Sequence, residues 1–98
     1  QGSSGLVRGY GMAVGRNIRQ TGFRLYNEGR LDDAIRKFME IETVYKEIKH
    51  QLGLVPIYFS LGLLYEEKGD LQNAKKYFSQ VLAFSPFHIQ AKERLKRL

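Results

Sequence analysis

An all-α fold of antiparallel helical hairpins is predicted by three features of the sequence. Apolar residues recur at the spacing of a helical stripe, glycines stand where the chain would reverse direction, and the whole pattern repeats at an offset of 40 residues. The residues that coincide at this offset are Gly22 with Gly62, Gly29 with Gly69, Leu31 with Leu71, Ala34 with Ala74, and Phe38 with Phe78. The chain is therefore expected to form about five helices.

The second copy of the repeat carries the clearer pattern. Tyr58, Leu61 and Tyr65 share one stripe of a helix because they are three, four and seven residues apart. Gly69 can adopt the left-handed conformation that closes this helix, and Asp70 can cap the free amides of the next one. These residues predict a tight reversal between two helices.

A second apolar stripe follows this reversal and predicts the other helix of the hairpin. It consists of Leu71, Ala74, Tyr77, Phe78, Val81 and Leu82. The stripe ends at Pro86, because proline cannot supply a helical hydrogen bond. Gly62 and Ala74 remove side-chain bulk where the two helices must approach, and the aromatic residues fill the space around them.

These residues resemble the tetratricopeptide repeat, whose signature runs W-x2-L-G-x2-Y, then A-x3-F, then P. The second copy has Tyr58 at the tryptophan position, followed by Leu61, Gly62, Tyr65, Ala74, Phe78 and Pro86. The first copy has Ile18, Thr21, Gly22, Leu25, Ala34 and Phe38, with Lys46 at the proline position. The resemblance implies hairpins stacked as a short right-handed α-solenoid.

The two copies are offset by 40 residues, whereas the usual period of this family is ~34 residues. The segment that joins them is therefore longer than usual. We expect the second helix to absorb the extra residues, to run to about Leu52 and to stop at Gly53. This length resembles the 40-residue subclass of kinesin light chains and cell-polarity adaptors. After Pro86, an apolar stripe of Phe87, Ala91, Leu95 and Leu98 resembles the solvating helix that covers a last repeat.

The predicted domain organisation follows from these boundaries. Residues 1–11 are rich in glycine and serine and resemble a leader that is vector-derived or disordered. The tetratricopeptide-repeat domain covers residues 12–98, with the first repeat at about 15–54, the second at about 55–86 and the capping helix at about 87–98. Because about three repeats are usually needed for stability, either a longer array or dimerisation through the open end is expected.

The resemblance also implies a binding site, because the first helix of each hairpin in this family lines a concave groove. The groove positions, carried over by register, are Arg16, Arg19, Phe23, Tyr26, Phe59, Leu63, Glu66, Glu93 and Arg97. The expected ligand is an apolar helix or extended peptide of another protein, with acidic residues near Arg16 and Arg19. The structural alternative is that the apolar members of this set belong to the core.

The carboxylate-clamp repeats of chaperone adaptors are a poor match, because Phe23 and Ser60 stand where those proteins have asparagines. Self-association through the open end or the groove is the main alternative function. A net charge of +6 makes nucleic-acid binding a lesser alternative, without a phosphate loop or an RNA-binding motif to support it.

Other functional classes are not favoured by the sequence. Cysteine is absent, the two histidines are far apart, and no set of nucleophile, base and acid is suggested. We therefore expect no enzyme activity, no catalytic or metal-binding residues and no cofactor. No apolar run is long enough to cross a bilayer, so no membrane partner is expected. The compartment stays open, with the cytoplasm slightly favoured.

Overall fold

The computed structural model describes the backbone of residues 2–98 and the side chains of residues 15–98. Within this part of the chain every regular element is a helix: α1 Gly2–Asn27, α2 Leu31–Glu47, α3 Gln51–Lys68, α4 Leu71–Phe84 and α5 Ile89–Arg97. The chain forms two compact units, Gln1–Gln51 (unit 1) and Leu52–Leu98 (unit 2). The predicted all-α fold of five helices is confirmed.

The first helix begins earlier than the sequence pattern indicates. Residues 2–11 lack amphipathic spacing and are predicted from the sequence to lie outside the fold, yet the backbone of α1 is helical from Gly2 onward. Gln1 and the side chains of residues 2–14 lie outside the described residues. The origin of residues 1–11 as a leader stays a prediction.

In unit 1, α1 and α2 pack as an antiparallel pair because glycines let aromatic rings approach the backbone of α1. A Cβ atom at Gly15 would lie 2.6 Å from Cε1 of Tyr45, and one at Gly22 would lie 2.9 Å from Cε2 of Phe38. The two helices are antiparallel, since the earlier glycine, Gly15, meets the later ring, Tyr45, and the later glycine, Gly22, meets the earlier ring, Phe38. Both rings are buried, and burying a phenylalanine contributes about 1.5–3 kcal/mol.

Unit 2 repeats this arrangement between α3 and α4. A Cβ atom at Gly62 would lie 2.6 Å from Cε1 and 2.7 Å from Cδ1 of Phe78, whose ring is fully buried. Beside this contact the rings of Tyr65 and Tyr77 stack with centroids 5.6 Å apart. The third helix of the unit, α5, packs against α4 and buries Ala91 completely.

The two hairpin turns are closed by glycines, as the sequence predicts. Gly29 has φ of 80° and Gly69 has φ of 92°, the left-handed conformation that ends a helix. Asp70 then caps α4, because its Oδ1 accepts from the backbone N–H of Asn73 at 3.2 Å and its Oδ2 from the Asn73 side chain at 2.7 Å. These two hydrogen bonds hold the pKa of Asp70 below its ordinary value.

The predicted end of α2 is wrong. The helix stops at Glu47, and α3 begins at Gln51, so Leu52 and Gly53 lie inside α3. Lys49 adopts the left-handed conformation, with φ of 56°. Its backbone N–H donates to the carbonyl of Lys46 at 3.2 Å, and the N–H of His50 donates to the carbonyl of Tyr45 at 2.8 Å.

These two bonds form the same Schellman motif that closes α1 and α3. The apolar stripe crosses the break without interruption, so periodicity alone could not locate it. The helix α2 has 17 residues and α4 has 14, so the predicted extension to about Leu52 is not present. Part of the extra length instead forms the first turn of α3, ahead of the helical Pro56.

A helix follows Pro86 as predicted, but its apolar stripe begins later than predicted. The helix α4 ends at Phe84, before Pro86, and α5 starts at Ile89. Phe87 therefore precedes α5 and is 85% exposed, whereas the sequence placed it on the buried stripe. Lys92 lies over its ring, 5.5 Å from the centroid.

We predict that Lys49→Gly stabilises the protein by about 1 kcal/mol, because glycine adopts the left-handed conformation without the cost that a Cβ atom imposes. Glu47→Gly is the matched control. Glu47 is also exposed but is helical, so glycine should lower stability there. Urea unfolding followed by circular dichroism measures both, and a loss of stability in Lys49→Gly would contradict the assigned turn.

We also predict that Gly62→Ala destabilises the protein by about 1–3 kcal/mol, because the new methyl group must displace the ring of Phe78. Adding Phe78→Leu should make the alanine less costly than it is alone, since the smaller side chain removes the clash. Thermal and urea unfolding of the two single variants and the double variant give the coupling free energy between positions 62 and 78. Strictly additive effects would show that Gly62 and Phe78 do not meet.

Candidate functional site

One face of α1 carries four of the predicted site residues. Arg16, Arg19, Phe23 and Tyr26 are spaced so that they share one side of the helix, next to the stripe of Gly15 and Gly22 that packs against α2. Phe23 is 47% exposed and Tyr26 is 43% exposed, so neither belongs to the core. We call these four residues the α1 face.

The α1 face has a fixed position on unit 1 because Phe23 contacts the core below it. Its ring meets the edge of the Phe38 ring, with centroids 5.3 Å apart. Phe38 is in turn held against Gly22. The exposed aromatic surface therefore rests directly on the glycine–aromatic contact of the hairpin.

A second group of predicted residues lies on unit 2, on α3 and α5. Phe59, Leu63 and Glu66 occupy one stripe of α3 and are partly exposed, while Glu93 and Arg97 of α5 are exposed. We call these five predicted residues together the unit 2 face. Like the α1 face, the set combines apolar and charged side chains.

Phe59 is held in place from two sides. Its ring lies 5.6 Å from that of Phe78 and 5.0 Å from that of His88, measured between centroids. The contact with Phe78 joins Phe59 to the core of unit 2, and the contact with His88 joins it to the start of α5. The side chain is therefore an ordered platform with one part open to solvent.

Glu66 does not have a free carboxylate. Its Oε1 accepts a hydrogen bond from Nη1 of Arg94 at 3.1 Å, and the two side chains are 22% and 37% exposed. The sequence predicts Glu66 as a groove residue and gives it no partner. The structure instead brings Glu66 and Arg94 together and joins α5 to α3.

His88 is a second residue whose role the sequence did not reveal. Its Nδ1 accepts from the backbone N–H of Ala91 at 3.1 Å, so His88 is the N-cap of α5. Serine, threonine, aspartate and asparagine are the usual N-caps, and only they would have signalled this position in the sequence. His50 likewise packs against an aromatic ring, that of Tyr45, with centroids 4.9 Å apart.

Among the described residues, no group of three or more His, Asp or Glu side chains is arranged to hold a metal ion. None of the helices in this part of the chain combines the length and the apolarity that a membrane span requires.

Comparison with known families identifies one part of the chain. Residues 55–88 match the family model of the tetratricopeptide repeat. The matched segment contains α4 and most of α3, and it coincides with the predicted second copy at about 55–86. No curated protein matches the chain. The number of repeats and the 40-residue type of the first copy stay predictions.

We predict that His88→Ala lowers stability by about 0.5–2 kcal/mol, the usual cost of losing an N-cap. His88→Asn should lose less, because asparagine can still accept from the N–H of Ala91. Urea unfolding compares the variants, and amide hydrogen exchange at the start of α5 shows whether the loss is local. Equal stability of His88→Ala and the parent protein would contradict the capping role.

Proposed function

We propose that the protein is an interaction module that binds a segment of another polypeptide, because residues 55–88 match the family model of the tetratricopeptide repeat. The binding surfaces are the α1 face and the unit 2 face. Repeats of this family are generally scaffolds for protein partners rather than enzymes. The proposal therefore assigns binding, and not catalysis, to this chain.

The observation that carries the proposal is the exposure of two neighbouring aromatic side chains on α1. Phe23 and Tyr26 keep 47% and 43% of their surface open, although other aromatic residues of the same hairpin are buried. Large aromatic residues dominate the energy of protein interfaces because they bury much surface at little entropic cost. Arg16 and Arg19, beside them, can add charge-assisted hydrogen bonds.

Phe59 and Leu63 support the proposal from unit 2. Both are only partly covered, and Phe59 is fixed by the rings of Phe78 and His88. A preorganised apolar side chain loses little entropy when a ligand covers it. A helix or an extended peptide with apolar side chains at regular spacing fits such a surface.

Self-association is the alternative, and a different observation favours it. Phe87 is 85% exposed and Ile89 is 69% exposed, next to one another at the start of α5. Such apolar side chains can pair with a second copy of the chain. Light scattering over a range of concentrations separates the two possibilities, because only self-association raises the apparent mass with concentration.

We predict that Tyr26→Ala weakens binding to peptides selected from a random display library by about fivefold or more, the effect of losing an interface aromatic. Tyr26 is 43% exposed and lies outside the core, so the variant should unfold close to the parent's temperature. Leu71→Ala is the matched control, because Leu71 is 45% exposed but lies on α4. Fluorescence polarisation measures the affinities, and an equal loss in both variants would contradict the proposal.

A further inference from the structure

The helix α1 differs in its charge from its partner in the hairpin, α2. The sequence of α1 contains arginines and neither aspartate nor glutamate. Arg16 and Arg24 are exposed, Arg19 is partly exposed, and among the described residues none of the three forms an ion pair. The positive charge of α1 is therefore available to a ligand.

Acidic residues of α2 already have cations of their own helix, or of the turn before it, beside them. These pairs, each within about one turn, are Asp33 with Arg30, Glu40 with Lys37, and Glu42 with Lys46. The corresponding distances between nitrogen and oxygen are 2.7, 3.5 and 3.2 Å. Because these carboxylates are engaged locally, the arginines of α1 keep their charge for a group outside the hairpin.

Along the α1 face, the charged and the aromatic side chains are separated. Arg16 and Arg19 lie toward one end and Phe23 and Tyr26 toward the other, so that positions 16 and 23, and positions 19 and 26, are each seven residues apart. Seven residues advance about 10 Å along a helix and make nearly two full turns, so both pairs lie on the same side. The face therefore has a cationic half and an aromatic half at a fixed spacing.

We infer that the ligand of the α1 face is an amphipathic helix whose acidic and apolar side chains are also seven residues apart. Such a helix presents both kinds of side chain on one side, about 10 Å from each other. An extended strand advances about 3.3 Å per residue and alternates its faces, so residues on one face are about 7 or 13 Å apart and match less well. This inference rests on the proposed function and names the chemistry and the conformation of the partner.

Designed helical peptides test the inference. Each design has two leucines one helical turn apart and two glutamates seven residues away from them, placed on the amino-terminal side in one version and on the carboxyl-terminal side in the other. One control peptide moves the glutamates two residues further, to the opposite side of the helix, and a second replaces them with glutamine. By fluorescence polarisation we expect one version of the design to bind at least about threefold more tightly than either control.

Matched protein variants show whether the arginines of the face are responsible. Arg19→Gln should weaken binding of the design by about threefold and leave binding of the glutamine peptide unchanged, and Arg16→Gln should act in the same way. Arg24→Gln is the control, because it removes the same charge from the same helix but lies about 100° around the helix from Phe23. It should cost less than Arg19→Gln. Thermal unfolding of each variant confirms that the comparison is made on folded protein.

Other outcomes would overturn the inference or its premise. If the control peptides bind as tightly as the design, or if Arg24→Gln costs as much as Arg19→Gln, the spacing of the α1 face does not select the ligand. If library-selected peptides bind but no design does, the inference fails while the proposed function stands. If a single-stranded oligonucleotide binds more tightly than the design and Arg19→Gln weakens it, the face takes nucleic acid instead. If no peptide of any kind binds, the proposed function itself fails.

Discussion

The interaction on which the rest of the structure depends is the contact between a glycine of one helix and an aromatic ring of the next. At Gly22 and Gly62 the missing Cβ atom lets the rings of Phe38 and Phe78 lie directly against the helix backbone. This contact decides which side of each first helix is buried. Phe23, the next residue after Gly22, meets the edge of the Phe38 ring and leaves 47% of its surface for solvent or a partner.

Much of the fold could be predicted from the sequence because both hairpins use the same local chemistry. The repeat at an offset of 40 residues, the left-handed glycines and the Asp70 cap are all local signals. The end of α2 was missed because its left-handed residue is Lys49 rather than glycine. Gly53, the expected stop, lies within α3, where a glycine is tolerated at a modest cost.

The candidate site was predictable only in part. The predicted residues of the α1 face and the unit 2 face are exposed or partly exposed, and their grouping into a binding site stays a prediction. The pairing of Glu66 with Arg94 joins residues 28 positions apart, so no local pattern could show it. The cap at His88 was hidden for another reason: histidine is an uncommon acceptor at the start of a helix. Both missed contacts hold α5 in place, and the contact of Arg94 with Glu66 also neutralises a carboxylate of the unit 2 face.

The most direct test of the central claim is to map, residue by residue, where a bound peptide contacts the protein. Backbone amide shifts recorded by NMR during titration with a library-selected peptide provide this map. The largest shifts are expected on one of the proposed binding faces, either on α1 around Phe23 and Tyr26 or on α3 around Phe59 and Leu63. Shifts confined to α2 and α4 would show that the peptide binds elsewhere and would contradict the claim.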